Sequence, residues 1–229
     1  MKTIGILGGM SAASTMIYYR HLCELTQQRL GGLHSPELLI RSLDFERIEA
    51  LQVVGKWDQA GIILNSEAKA LARGGADFLV LATNTMHKLA DQMMYGISLP
   101  LVHLADATAR RVKSAGHTSP GLMATAFTME QSFYTDRLSA AGLSPVIPDA
   151  KDRAETHRII YDELCKNVTT KESQAAYVAI AERLIRTGAD CLILGCTEVG
   201  MLLNQGNVSV PVFDTTLIHC ETALEKALE

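Results

Sequence analysis

The apolar positions of this chain fall into short unbroken runs, separated by longer stretches in which they recur every three or four residues. The runs at 3–7, 37–43, 77–82, 99–103, 121–124, 145–147, 190–195 and 211–213 predict strands. Several carry no alternating polar residue, the pattern of a strand buried on both faces. Helical spacing fills the intervals, from Ser11 or Ser14 as cap to about residue 28, then at 46–53, 58–73, 85–94, 105–112, 129–141, 152–166, 170–187, from 198, and over 215–228. In 58–73, Ala60, Ile63, Leu64, Ala68 and Leu71 share one face. Strands alternating with helices predict an α/β protein whose sheets are mostly parallel and flanked by helices.

The chain also repeats itself. Residues 75–85 read Gly-Ala-Asp-Phe-Leu-Val-Leu-Ala-Thr-Asn-Thr and residues 188–198 read Gly-Ala-Asp-Cys-Leu-Ile-Leu-Gly-Cys-Thr-Glu. Asp77 falls on Asp190, Leu81 on Leu194 and Thr83 on Cys196. A second echo follows each copy, 98–102 against 209–213, and the openings at 5–15 and 121–131 correspond loosely. Self-similarity with a period of about half the chain predicts two related lobes. The expected division is 1–102 with 214–229 as the N-terminal lobe and 103–213 as the C-terminal lobe, with a cleft between them. Ligands of parallel sheets collect beyond the C-terminal strand ends. Those ends carry Gly8–Ser11, Asp44, Thr83–Thr85, Thr125, Cys196–Thr197 and Asp214, mostly small and hydroxylated residues suited to a small polar ligand.

With 229 residues, each lobe is long enough to bury a core. The net charge of −4, with no basic run longer than Arg110-Arg111, argues against nucleic-acid and anionic-membrane partners. Lys2 with 4–7 and 11–14 faintly imitates a signal peptide, but Gly8-Gly9 breaks an apolar run that is already too short, so the protein is expected in the cytoplasm. Five cysteines with no C-x-x-C spacing argue against a disulfide framework and a zinc site, and leave reduced thiols.

One of these thiols is a candidate for chemistry. Cys196 ends a strand and is expected to begin a helix, where free N–H groups stabilise an anion and draw a thiol below its ordinary value of about 8.5. The same N–H groups, with the Thr197 hydroxyl, suit a substrate carboxylate. A packed core cysteine is the commoner fate and fits Cys23, Cys191 and Cys220. Thr83-Asn84-Thr85 closes the matching strand with three hydrogen-bonding side chains in succession. One of them would be an ordinary helix cap, whereas three read as a binding loop. A nucleotide-binding reading of 5–9 fails, because the spacing is neither G-x-G-x-x-G nor a P-loop.

Taken together, Gly8-Gly9-Met10, Asn84-Thr85-Met86-His87, Gly195-Cys196-Thr197-Glu198 and Pro211-Val212-Phe213-Asp214 resemble the cofactor-independent aspartate/glutamate racemases over essentially the whole chain. The resemblance implies two similar α/β lobes with the active site between them, commonly a homodimer, no cofactor and no metal. It implies a small amino-acid substrate whose α-proton one cysteine removes while a second returns a proton on the opposite face. The second family cysteine corresponds to Cys196. Thr83 stands where the first is expected, as in the broad-specificity branch with threonine at that position. Pocket residues implied by the resemblance are Met10, Ser11, Gln52, Asn84, Thr85, Thr125 and Thr197. Arg47 and Lys166 are the nearest cations for a distal carboxylate, and each has a solvated helix face as its bland alternative. His87 is placed to order the loop or simply to cap it, and His219 to orient a thiol or simply to pack.

A hydroxyl does not ionise near neutral pH, so Thr83 is a poor base and serves at best as a proton donor or relay. The expected activity is racemisation of aspartate or glutamate with Cys196 as acid/base. The alternatives are a single-cysteine decarboxylase or isomerase on the same scaffold, or a protein that binds an acidic amino acid with the chemistry weakened.

Overall fold

A computed structural model describes all residues, Met1 to Glu229. The chain forms two compact units, residues 1–103 with 219–229, and residues 104–218.

In the first unit, β1 (Ile4–Gly8), β2 (Leu38–Ser42), β3 (Phe78–Leu81) and β4 (Leu101–Val102) form one sheet in the order β2-β1-β3-β4, every pair parallel. Helices α1 (Ala12–Leu30), α2 (Phe45–Val53), α3 (Trp57–Arg73) and the short α4 (Ala90–Met93) connect the strands. Successive strand residues point to opposite faces. Ile4, Ile6, Phe78 and Val80 therefore meet Tyr18 and Leu22 of α1, while Leu7, Leu79 and Leu81 meet Leu64, Ala68 and Leu71 of α3. Both faces are covered, which is why the strands read as unbroken apolar runs.

The second unit repeats this plan with β5 (Pro120–Ala124), β6 (Cys191–Gly195) and β7 (Val212–Asp214), again all parallel, in the order β5-β6-β7. Its helices are α5 (Leu104–Ser114), α6 (Ala126–Glu130), α7 (Ser132–Ala140), α8 (Ala150–Asp162), α9 (Lys171–Arg186) and the first residues of α10 (Thr215–Leu228). Leu122, Cys191 and Ile193 pack on one face, and Met123, Leu192 and Leu194 on the other. The remainder of α10 contributes Cys220, Ala223, Leu224 and Ala227 to the first unit's core.

Four expected elements differ from the structure. Residues 145–147 make only an isolated bridge, Val146 to Gly121: Ser144 and Val146 donate to the Thr118 and Pro120 carbonyls, and Pro148, next in that alternation, has no N–H with which to continue the ladder. The helix expected over 129–141 is two helices, broken at Gln131 in extended conformation (φ −97°, ψ 143°). The segments after β3 and β6 open as tight 3-10 turns, Thr85–Leu89 and Thr197–Met201, where α-helices are expected.

Candidate active site

The loop after β1 approaches the neighbouring backbone too closely for any side chain at its turn. Gly9 has φ +84°, and a Cβ there would stand 2.2 Å from both the N and the O of Leu43. Its N–H donates to Thr15 Oγ1 at 2.7 Å. Met10 and Ser11 follow, both buried, and Ser11 Oγ caps α1 by accepting from the N–H of Ser14 at 3.1 Å. The Ser14 hydroxyl in turn donates to the Ala82 carbonyl at 3.2 Å, tying the start of α1 to the end of β3.

Thr83, Asn84 and Thr85 extend from β3 and are buried. His87 holds this segment through its ring Nδ1, 2.7 Å from the Thr83 carbonyl oxygen. From α2 the buried Gln52 amide donates to the sulfur of Met86, beside Thr85, at 2.8 Å. The first unit thus collects Met10, Ser11, Gln52, Thr83, Asn84 and Thr85 around the C-terminal ends of β1 and β3. Arg47 and Lys166 are exposed, Arg47 on α2 and Lys166 on a 3-10 turn of the second unit.

In the second unit, Thr125 closes β5 and caps α6, accepting from the N–H of Thr128 at 3.3 Å. Cys196 closes β6 in extended conformation, followed by buried Thr197 and Glu198. The Cys196 thiol donates to Glu198 Oε2 at 3.0 Å. Asp214 at the end of β7 spends its Oδ1 on the N–H groups of Thr216 and Leu217.

The acidity expected of Cys196 is corrected by this geometry. Burial, and then the Glu198 carboxylate beside it, push the thiol well above its ordinary value. A turn of five 3-10 residues aligns few peptide dipoles, and the negative charge two residues on outweighs them. The resting group is a protonated thiol paired with a carboxylate. Glu198 is the neighbour that sequence reading leaves without a role, although its i+2 spacing from a cysteine at a strand end is visible. Cys165 lies in the same apolar cluster, its own thiol pushed up to about 12 by burial and by Glu198.

His219, read either as orienting a thiol or as simply packing, is fully buried in the first unit. It accepts from Tyr18 at 2.8 Å and donates to the Val102 carbonyl at 2.7 Å.

Comparison with known proteins gives this chain a family. The family model described as Asp/Glu/hydantoin racemase matches residues 7–223, so this chain belongs to the Asp/Glu/hydantoin racemase family, a family of isomerases. It is 22% identical to the broad specificity amino-acid racemase RacX of Bacillus subtilis (strain 168) over 216 residues, 93% of this chain and 92% of that one. A Yersinia pestis structure, provisionally termed an Asp/Glu racemase, superposes with a TM-score of 0.93 at 44% identity, covering 100% of each chain. An aspartate racemase homologue from Pyrococcus horikoshii OT3 superposes with a TM-score of 0.87 at 34% identity, also covering 100% of each chain.

Proposed function

We propose that the protein racemises aspartate or glutamate without pyridoxal phosphate, with Cys196 as the thiol acid/base and Thr83 serving the opposite face of the α-carbon. The observation that carries the reading is the Cys196–Glu198 pair. A thiol held at 3.0 Å from a buried carboxylate can pass its proton to Glu198 as its sulfur takes the proton from Cα. The carbanion is stabilised by donors around the substrate carboxylate, for which the hydroxyls of Ser11, Thr85, Thr125 and Thr197 and the Asn84 amide are the supply. Met10 and Gln52 complete the pocket. A proton then arrives at the other face through the Thr83 hydroxyl, which donates and is recharged from a bound water. The reverse reaction runs the same steps backward: the hydroxide left by that water takes the α-proton through Thr83, the sulfur returns a proton to the opposite face, and Glu198 gives the thiol back the proton it held. The substrate is acidic, and Arg47 and Lys166 are the candidate cations for its distal carboxylate. The protein acts as a cytoplasmic homodimer and binds neither nucleic acid nor membrane. No helix is long and apolar enough to cross a membrane.

A second reading rests on the presence of a single thiol among these strand ends. One cysteine suffices for a decarboxylation in which the thiol only delivers a proton.

The test is incubation with L- and D-aspartate and L- and D-glutamate in heavy water. Loss of the α-proton is followed by NMR and inversion by chiral chromatography, with Cys196→Ser as control. Exchange with inversion, abolished in the control, is expected. Binding of these substrates without exchange at Cα would overturn the reading, and carbon dioxide release from a malonate-type acid would support the decarboxylase.

A further inference from the structure

At the opposite end of the second sheet from Cys196, Asp190 precedes the first residue of β6. Its Oδ2 accepts from the N–H of Thr118 at 2.8 Å and of Ser119 at 3.1 Å, and from the Thr118 hydroxyl at 3.4 Å. Its own N–H donates to the Ser119 carbonyl at 3.0 Å. The first unit contains the same clasp. Asp77 accepts from the Thr3 N–H at 2.6 Å and donates its own N–H to the Thr3 carbonyl at 2.9 Å. A carboxylate at this register therefore has a structural task in both repeats, fastening the start of one strand to its neighbour.

What distinguishes the second copy is its company. Asp77 is followed by Phe78, whereas Asp190 is followed by Cys191, and the segment it clasps begins with His117. Asp190 Oδ1, the oxygen left over from the clasp, is buried, and the carboxylate takes a side-chain hydrogen bond from the Cys191 thiol. His117 Nδ1 stands 3.7 Å from it. One ligand atom each from His117, Asp190 and Cys191 lies within 4.8 Å of the others. The His117 ring is braced by Phe213 in an edge contact with centroids 5.7 Å apart.

We propose that His117, Asp190 and Cys191 form a binding site for one zinc-class divalent cation. The donor set chooses the metal. Imidazole nitrogen with thiolate sulfur suits Zn²⁺ and its neighbours, while Ca²⁺ and Mg²⁺ require oxygen cages. Tetrahedral Zn²⁺ with bonds near 2.1 Å separates its ligand atoms by roughly 3.4 Å, so small side-chain rotations about the present positions close the site. His117 and Asp190 are only half-buried, which leaves the fourth position to water. On loading, the Cys191 thiol gives its proton to solvent and its sulfur bonds the metal, with no change of oxidation state. Cys196 lies five positions beyond Cys191 along β6, roughly 17 Å of strand, so the ion has no part at the proton-transfer thiol. It cross-links the start of β6 to the segment entering β5, and a ligand bound only by the folded chain raises its stability. The three residues escape any spacing rule because two of them lie more than seventy positions from the third.

The test titrates chelator-stripped full-length protein with Co²⁺ and then Zn²⁺, in wild type, His117→Gln, Cys191→Ser and Cys196→Ser. One Co²⁺ per chain is expected, with a thiolate-to-cobalt charge-transfer band that Zn²⁺ displaces, and a higher Tm with Zn²⁺. The band should survive in Cys196→Ser and vanish in Cys191→Ser. His117→Gln, at a half-exposed position that does not threaten folding, should weaken Zn²⁺ by at least about tenfold, the least that loss of even an outer-shell partner costs. A band that disappears with Cys196 instead, or Zn²⁺ affinity unaltered in His117→Gln, would overturn the assignment.

Discussion

The ring Nδ1 of His87 lies 2.7 Å from the carbonyl oxygen of Thr83, four residues earlier. A carbonyl can only accept, so this nitrogen carries the proton. The ring also stands edge-on to His103, with centroids 4.5 Å apart, and to His219 at 5.8 Å. The residue proposed to serve one face of the substrate is thus positioned by a stack of buried imidazoles. His87→Ala is expected to cost about 1–3 kcal/mol of stability, as for a buried carbonyl losing its donor. Turnover should fall by up to about a hundredfold, the effect of a catalytic loop displaced by about 1 Å. Urea unfolding and steady-state kinetics check the pair of effects, and His87→Asn should recover part of the lost turnover.

Thr83 itself can be varied in two directions. Thr83→Ala should leave deuterium exchange at Cα of one enantiomer while inversion collapses, because Cys196 still removes a proton and nothing returns one opposite. Thr83→Cys should raise kcat in both directions, since a thiol donates and accepts protons near neutral pH where a hydroxyl does not. Because the equilibrium constant of racemisation is one, kcat/KM for the two enantiomers must stay equal in every variant. Chiral chromatography read against NMR exchange separates these outcomes.

For the thiol and its carboxylate the two readouts should move in opposite directions. Burial comes first, and Glu198 next, among the causes that keep the Cys196 thiol well above its ordinary value. Glu198→Gln removes the negative charge, so alkylation of Cys196 by iodoacetamide should begin at lower pH than in the wild type. Racemisation should nevertheless fall by about 10²–10⁴-fold, the usual worth of a positioned acid/base group. A variant that gained both reactivity and turnover would remove Glu198 from the mechanism.

His219 ties acid stability to the core. Burial, its first cause, lowers the imidazole from 6.5 to about 4 against the smaller opposing effect of its hydrogen bond to Val102. A folded value below the unfolded one means that acidification protonates the unfolded chain first. The stabilisation is fully present above pH 6.5 and drains away as the pH falls toward 4. A shift of this size corresponds to about 3 kcal/mol. His219→Gln should be less stable at pH 7 but show a flatter urea-midpoint profile across that window.

The strands were legible because each is covered on both faces and so carries an uninterrupted apolar run, as in Phe78–Leu81 and Cys191–Gly195. The repeat was legible for a related reason, since Asp77 and Asp190 perform the same clasp in each unit. Hidden were the features decided by what meets in space. Glu198 was printed two residues after Cys196, but the direction in which it moves the thiol depends on burial and on the turn being 3-10. The three histidines at 87, 103 and 219 have no common spacing and meet only because β4, the segment after β3 and α10 converge. Pro148 was visible throughout, and its effect in limiting 145–147 to a bridge follows from the N–H it lacks at the next donor position.

The division of the chain has a consequence for the order in which it is made. Residues 104–218 are contiguous, so the second unit has all its parts as soon as residue 218 leaves the ribosome. The first unit begins earlier and finishes later, because Cys220, Ala223, Leu224 and Ala227 belong to its core and the N–H of Lys2 donates to the Ala227 carbonyl at 2.8 Å. Translation delivers those residues only after the whole of the second unit. Residues 1–103 must wait, with one face of their sheet only partly covered, until the later turns of α10 arrive, and truncation before residue 219 would strand them there.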